Sequence, residues 1–217
     1  MKKIKIYGGM ELLYLYYRKN DIKINLIMIY MKIYTKKGDQ GNTSLANGEV
    51  YMKSEIYFQI LGDLDELNSA LGLISGYPKI QDIQMWIFDI SCIIGNPDSK
   101  YIFDNDKTTL AILESEIDKM TEELPKLRNF IIPSGHIHLA RAISRRCERS
   151  YDKFFHGTNE KRYLIIYQFL NRLSDYLFTL ARYDNQLNKK NKEVIYQKTD
   201  MLTIVEPEKK QSWFNII

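Results

Sequence analysis

Long segments with a helical apolar period, separated by prolines, constrain this fold more than any other feature of the sequence. Within each segment the apolar side chains recur at steps of three and four residues, which places them on one face of a helix. The segments are residues 55–76, 80–95, 107–124, 136–156 and 160–187, and the prolines between them are Pro78, Pro97, Pro125 and Pro133. Because no proline falls inside a segment and the connections are short, we predict an all-α, five-helix up-and-down bundle.

The rest of the chain divides around this bundle. A length of 217 residues suits a single domain with a sizeable core. We expect residues 31–198 to form the domain, with residues 199–217 as an irregular tail. Residues 1–30 resemble neither a secretory signal nor a transit peptide. We expect them to be an extension, with translation starting at Met31 or with the extension dispensable.

Charge and cysteine content exclude some classes of partner. The 31 basic and 27 acidic side chains give a net charge of +4, which is too small to predict nucleic-acid binding. No apolar stretch approaches the roughly 20 residues that a membrane helix needs. Cys92 and Cys147 lie among apolar helix residues, so we expect both thiols to be buried and reduced, as in a cytoplasmic protein.

A glycine-bearing segment precedes the first helix. Residues 35–44 combine Gly38 and Gly41 with two lysines and several hydroxyl side chains, and we predict a flexible loop for residues 31–54. Accessible backbone N–H groups beside positive charge are what a polyphosphate requires. The segment is not a Walker P-loop, because no GK[ST] follows. A plain turn remains the alternative.

The fourth helix carries a concentration of arginines. Arg141, Arg145 and Glu148 are spaced to share one face, and Arg146 and Arg149 lie beside them. Guanidinium groups gathered in this way repel one another unless an anion joins them, and a triphosphate would match their bidentate geometry. The alternative is a solvated face or an interaction patch.

Two further polar clusters admit structural explanations. On the first helix, Asp65 lies among carboxylates without a histidine at ligand spacing, so an ion pair with a fourth-helix arginine is favoured over a metal site. On the fifth helix, Asn171, Asp175, Phe178 and Arg182 form a polar and aromatic stripe opposite the leucines, typical of a helix or subunit contact. The histidines do not form a convincing metal set, so a structural role is the default for each.

Taken together and in order, these segments resemble the PduO-type ATP:cob(I)alamin adenosyltransferases. The family pattern has a TKxGDxGxTSL loop, a GxxDELNS helix, an FxxP segment, an ARxxxRRxER helix and an FLNRLSDYLFxLAR helix. Here these motifs are residues Thr35–Leu45, Gly62–Ser69, Phe130–Pro133, Ala140–Arg149 and Phe169–Arg182. The match spans residues 31–198, and the last motif alone is long enough to be specific.

The resemblance implies an activity and an assembly. It implies transfer of the 5′-deoxyadenosyl group of ATP to cob(I)alamin, with Mg²⁺ accompanying the triphosphate and no metal held by protein side chains. It also implies a homotrimer with ATP bound between subunits, a reductase as electron donor and a cobalamin-dependent enzyme as acceptor of the product. A nucleic-acid or membrane partner is not implied.

The resemblance also implies roles for individual residues. Asp65 and Arg141 match an intersubunit ion pair, and with Arg145 they are the catalytic candidates. Phe130 matches the aromatic residue that excludes the lower axial ligand of cobalamin, and His138 is a second candidate for the cobalamin site. The ATP-site candidates are Thr35, Lys36, Lys37, Gly38, Thr43, Ser44, Lys53, Arg145, Arg146, Glu148, Arg149 and Asn171.

One departure from the family pattern lies beside the expected cobalamin pocket. The family usually has PGG and about eight further residues before the His-x-Ala-Arg segment, whereas Pro133 to His138 is several residues shorter and has Ser134 for the second residue. This departure keeps open a non-catalytic ATP- and cobalamin-binding bundle, a chaperone or sensor. A helical scaffold that binds nucleic acid is the third hypothesis, and the mild charge disfavours it.

Overall fold

A computed structural model describes residue 34 and residues 36–158, 160–188 and 193–199. Five α-helices account for most of it: α1 (Ile56–Leu71), α2 (Lys79–Ile94), α3 (Thr108–Glu123), α4 (Gly135–Thr158) and α5 (Leu164–Asn188). A short 3₁₀ helix, Lys161–Tyr163, leads into α5. The five predicted helices are confirmed, with ends within a few residues except at α1, which stops at Leu71 where residues to 76 were expected.

Two short antiparallel ribbons accompany the helices. Strands β1 (Asn42–Ser44) and β2 (Val50–Met52) pair with Thr43 opposite Tyr51. Strands β3 (Ile131–Ile132) and β4 (Val194–Ile195) form the second ribbon. The prediction of a flexible loop was therefore wrong for residues 42–44 and 50–52. Strands of three residues are too short to show a clear alternating pattern, which is why the sequence reads there as a loop.

The apolar periodicity predicts the core correctly. The residues that were expected to face inward on α1 and α5 are at most 7% exposed, and burial of each such side chain stabilises the fold by about 1.5–3 kcal/mol. These residues are Ile60, Leu64, Leu67, Leu71 and Ile74 on or just after α1, and Ile166, Leu170, Leu173, Leu177 and Leu180 on α5. Helix α3 is held less tightly, since only Thr109, Leu113 and Met120 are buried on it.

The order in which helices pack departs from a simple up-and-down arrangement. Helix α4 packs between α1 and α5, α2 packs on α1, and α3 packs on α5. Helix α5 lies between α4 and α3 and is buried around much of its circumference, and the connection of residues 95–107 lets α3 reach its far side. Consequently the polar residues of α4 and α5 lie along the solvent-exposed edge of the contact between these two helices.

The cysteine prediction holds for one residue only. Cys147 is buried, and burial raises the pKa of its thiol to about 12. Cys92 is exposed, so the expectation that both are buried was wrong for it. It lies between the inward positions Ile90 and Ile94 of α2, on the outer face of the helix. Within the described residues, no helix combines the length and hydropathy needed to cross a bilayer.

Candidate functional site

The glycine-bearing segment forms a tight turn in front of the β1–β2 ribbon. Lys36 adopts a left-handed φ of 60°, and Gly41 has a φ of 84°. Asp39 N donates to Lys36 O at 3.3 Å, and Gly41 N donates to Gly38 O at 3.2 Å. Lys53 N donates to Gly41 O, and a Cβ added at Gly38 would lie 3.0 Å from the Lys53 ammonium. The structure thus brings Lys53 onto the turn, as an anion site would require.

The other loop candidates differ in position. Lys37 is exposed beside Lys36, while Thr35 lies outside the described residues. Thr43 and Ser44 are successive residues of β1, so their hydroxyl groups project to opposite faces of the ribbon. Only one of the two hydroxyls can therefore face the turn that carries the lysines.

Helix α4 presents a row of arginines at intervals of four residues. Arg145 and Arg149 are exposed and Arg141 is half-buried. Arg149 Nη1 donates to Arg145 O at 3.0 Å, which holds its side chain along the helix. Burial, and then the charge of Arg145, lower the pKa of Arg141. The row is therefore a self-repelling cationic surface that an anion would stabilise.

Arg146 lies beside this row and is engaged by α1. Its guanidinium contacts Glu66, and its Nε lies 3.8 Å from Oδ1 of the buried Asp63. The hydrogen bond to Glu66 raises the pKa of Arg146. The interhelical ion pair of α1 and α4 therefore uses Asp63 and Glu66, and any phosphate contact by Arg146 competes with it.

Glu148 and Asn171 join α4 to α5 at the edge of the same surface. Asn171 Nδ2 donates to Glu148 Oε1 at 2.7 Å. Sequence reasoning grouped both residues with the arginines, and the structure places them in contact with each other. A carboxylate held by an amide in this way can fix neighbouring guanidinium groups or accept from a nucleotide.

Asp65 and Arg141 do not meet within one chain. Asp65 is exposed on α1, and among the described residues no ion pair or hydrogen bond reaches it. The Arg141 guanidinium instead lies 5.8 Å from the ring centroid of Phe178, a cation–π distance.

An aromatic cavity of about 130 Å³ opens beside the N-terminal part of α4. We call it the Phe130 cavity; it is lined by Leu127, Phe130, Ile131, Pro133, His138, Arg141 and Phe178. The Phe130 side chain is 84% exposed, so it is not packed into the core of its own chain. Phe178 was assigned only to a helix contact from sequence. Phe178 follows Asn171 by seven residues and therefore lies on the same face of α5. This spacing could have predicted that Phe178 lines a site.

His138 lies deep in this cavity wall. It is 3% exposed, its ring is edge-on to Phe178 at 5.9 Å, and neither ring nitrogen has a hydrogen-bond partner among the described residues. Burial and the charge of Arg141 lower its pKa, against a smaller opposing effect of Glu193. His138 is therefore neutral at pH 7, with a donor and an acceptor to offer.

The shortened segment before α4 still allows a complete helix. Helix α4 begins at Gly135, two residues after Pro133, and Gly135 has a φ of 82° that favours glycine. His138 follows within the first turn. The start of α4 thus lies at the wall of the Phe130 cavity, which both Pro133 and His138 line.

Arg182 has a role that sequence reasoning missed. It belongs to the polar stripe of α5 but is only 8% exposed. Its Nε donates to Glu193 Oε1 at 2.7 Å, and its Nη2 donates to Pro125 O at 3.0 Å. The signal was the position of an arginine four residues after Phe178, on the same face of an otherwise apolar helix.

The described residues contain no group of three or more His, Cys, Asp or Glu side chains placed to hold a metal ion.

Comparisons with known proteins identify the family of this chain. Residues 33–184 match the model of the cobalamin adenosyltransferase family. The bovine corrinoid adenosyltransferase MMAB is 38% identical over 190 residues, 78% of each chain. A corrinoid adenosyltransferase of Bacillus subtilis is 35% identical over 171 residues, covering 71% of this chain and 87% of its own.

A solved structure extends the likeness to three dimensions. It is a phenylalanine-to-alanine variant of a PduO-type ATP:corrinoid adenosyltransferase from Lactobacillus reuteri, complexed with cobalamin and ATP. The alignment has a TM-score of 0.69 and 31% identity, and it covers 77% of this chain and all of the other. The present chain belongs to the cobalamin adenosyltransferase family.

Proposed function

We propose that the protein transfers the 5′-deoxyadenosyl group of ATP to cob(I)alamin, giving adenosylcobalamin and triphosphate. One observation carries the proposal beyond family membership: Arg141 lines the Phe130 cavity and also begins the arginine row of α4. Arg145 follows one turn later, about 6 Å along the helix axis. A corrin at the cavity and a triphosphate on the row would therefore lie next to each other.

The nucleotide would be held by the turn and the arginine row. The residues proposed for this site are Lys36, Lys37, Gly38, Thr43, Ser44, Lys53, Arg145, Arg146, Glu148, Arg149 and Asn171, together with Thr35. Lysine and arginine side chains would neutralise the polyphosphate, and Mg²⁺ would accompany it through phosphate oxygens.

The chemistry needs positioning and charge stabilisation rather than proton transfer. The cobalt of cob(I)alamin attacks C5′ of ATP, the C5′–O bond breaks, and triphosphate leaves with the bonding electrons. No proton moves in this step, so no general base is needed. Arg145 would stabilise the charge that grows on the leaving group, and the pocket would align C5′ with cobalt.

The Phe130 cavity would serve the preceding reduction. Cob(II)alamin accepts an electron with difficulty while its lower axial base is attached. An exposed aromatic ring such as Phe130, placed beneath the corrin, would displace that base and exclude water from the vacant position. The electron would come from a reductase, and the product would pass to a cobalamin-dependent enzyme.

We also propose that the ATP site forms between chains of a homotrimer. Among the described residues, no hydrogen bond or ion pair joins the turn at Lys36–Gly41 to Arg145 or Arg149 within one chain. Asp65, exposed and without an ion pair among the described residues, is available to pair with Arg141 of a neighbouring chain. Both features support an assembly in which each site takes its halves from two chains.

An anaerobic assay with ATP, Mg²⁺ and chemically reduced cob(I)alamin tests the activity directly. We expect adenosylcobalamin to form, followed by its absorbance, with triphosphate released in equal amount. Binding of ATP and cobalamin without product would identify the protein instead as a non-catalytic chaperone or sensor.

A further inference from the structure

We propose that Arg182 is a positioning residue for cobalamin reduction: it anchors both strands of the β3–β4 ribbon and so fixes Phe130 at the mouth of its cavity. The proposal rests on the proposed function, because it assigns Arg182 a role in the wedge action of Phe130. Arg182 itself does not line the cavity.

Arg182 contacts one chain segment on each side of the ribbon. Its Nη2 donates to Pro125 O at 3.0 Å, and Pro125 begins the segment that leads through Phe130 into β3. Its Nε donates to Glu193 Oε1 at 2.7 Å, and Glu193 immediately precedes β4. One guanidinium therefore joins the start of the segment that leads into β3 to the residue immediately before β4.

The ribbon connects these anchors to Phe130. Ile131 pairs with Ile195, and Tyr196 N donates to Phe130 O at 2.8 Å. The backbone of Phe130 is thus hydrogen-bonded to the strand that Glu193 introduces. A displacement of β4 would move Phe130 with it.

The ribbon cannot hold this position alone. Each strand has two residues, and a free two-stranded ribbon is marginal even at greater length. Its outward side chains add little, since Ile132, Val194 and Ile195 are 47%, 58% and 55% exposed. The Phe130 ring is itself 84% exposed, so packing of the side chain constrains it little and the backbone position matters most. Arg182, 8% exposed on α5, supplies an anchor from the core.

The guanidinium group suits this role better than an ammonium group. Its planar fork can donate to a carboxylate through one nitrogen and to a carbonyl through another at the same time. The ion pair is largely shielded, with side-chain exposures of 8% for Arg182 and 26% for Glu193, so its geometry is held. Lysine at position 182 could keep the charge but not both contacts.

The test compares two assays of the Arg182→Gln variant. Turnover that starts from cob(II)alamin with a reductant should fall by about tenfold or more, as expected for a displaced positioning element. Turnover with chemically reduced cob(I)alamin should change by less than about threefold, because the anchor contacts, Pro125 and Glu193, include no residue proposed for the nucleotide site. Arg172→Gln is the matched control. Arg172, like Arg182, forms an ion pair between α5 and another part of the chain, but its partner is Glu114 of α3 and not a residue next to the ribbon.

A double variant separates the anchor from a general loss of stability. If Arg182 acts through Phe130, adding Arg182→Gln to Phe130→Ala should lower cob(II)alamin turnover no further. The electron paramagnetic resonance spectrum of cob(II)alamin bound with ATP should show loss of the base-free signal in both single variants. Equal losses in the two assays, or independent additive effects in the double variant, would overturn the proposal.

Glu193→Gln provides the same test if Arg182→Gln does not fold. We again expect a larger loss of cob(II)alamin-dependent than of cob(I)alamin-dependent turnover. The loss should be smaller than for Arg182→Gln, because a neutral amide can still accept a hydrogen bond from Arg182. An unsplit loss in this variant would also overturn the proposal. If wild-type protein makes no adenosylcobalamin from cob(I)alamin, the proposed function fails; if it does and the split is missing, only the anchor fails.

Discussion

The two candidate half-sites of this protein are built in opposite ways. The Phe130 cavity is assembled by one chain, from α4, α5 and the segment before β3. The arginine row of α4 is partly exposed and self-repelling, and among the described residues no hydrogen bond links it to the glycine-bearing turn. An apolar cavity can be shaped by the packing that already stabilises the fold, whereas a polyphosphate site gathers charges that require an anion or a partner.

This difference predicts which substitutions affect which step. Changes on the arginine row should weaken ATP binding and lower turnover equally with cob(I)alamin and with cob(II)alamin. Changes at the cavity should lower cob(II)alamin-dependent turnover first.

The largest effect is expected from Arg145→Ala. It removes a donor to the leaving triphosphate, and the loss of a transition-state donor typically costs about 10²-fold or more in turnover. We expect that loss with cob(I)alamin and with cob(II)alamin, measured by adenosylcobalamin formation. Lys153→Ala, an exposed cation on the same helix, is the control and should change little.

Phe130→Ala should lower turnover from cob(II)alamin far more than turnover from pre-reduced cob(I)alamin. Without the ring, the lower base stays attached and cob(II)alamin-dependent turnover should fall by about tenfold or more, with a far smaller effect on pre-reduced cob(I)alamin. Tyr101→Ala controls for loss of an exposed aromatic ring, since Tyr101 is 81% exposed outside the cavity. Equal losses in both assays would refute the wedge role.

Asp65→Asn tests whether an ion pair between chains contributes to the proposed homotrimer. If Asp65 pairs with Arg141 of a neighbouring chain, each interface of the proposed trimer should weaken by up to about fivefold, the upper range for a partly solvated ion pair. Sedimentation at several protein concentrations measures this. Asp118→Asn, an exposed carboxylate on α3, should leave the association unchanged. Unaltered assembly of both variants would remove Asp65 from the interface.

The smallest effect should come from His138 and pH. Its folded pKa lies below the ordinary value of 6.5, so the unfolded chain binds its proton more readily. Stability is therefore retained above pH 6.5 and declines as pH falls towards the folded pKa. Urea unfolding of wild type against His138→Gln should show a shallower decline in the variant between pH 7 and 5. Identical slopes would contradict a neutral buried imidazole.

Sequence reasoning was strongest where periodicity carries the information. The five helices and their inward leucines follow from spacing, because burial of one face determines both. It failed at the β1–β2 ribbon, where the strands are too short for a pattern, and at Cys92, which the spacing of the α2 isoleucines already assigns to the outer face.

The candidate site was predictable only in part. The motifs named Phe130, His138 and Arg141, and the structure gathers them in one cavity. The pairing of Arg146 with Asp63 and Glu66 depends on which turns of α1 and α4 cross, and the anchor of Arg182 depends on chain segments far apart in sequence. Helical spacing describes one helix at a time, so contacts of this kind are not visible in it.

The glycine-bearing turn of one chain is proposed to meet the arginine row of α4 from a neighbouring chain. Complementation between two inactive variants is the decisive test. Lys53→Ala impairs the turn and Arg145→Ala impairs the row, so each homotrimer alone should be nearly inactive. Coexpression at equal levels should restore about a quarter of the sites, since a random cyclic trimer pairs an intact turn with an intact row at that frequency. Activity no higher than the mean of the two parents would contradict the account.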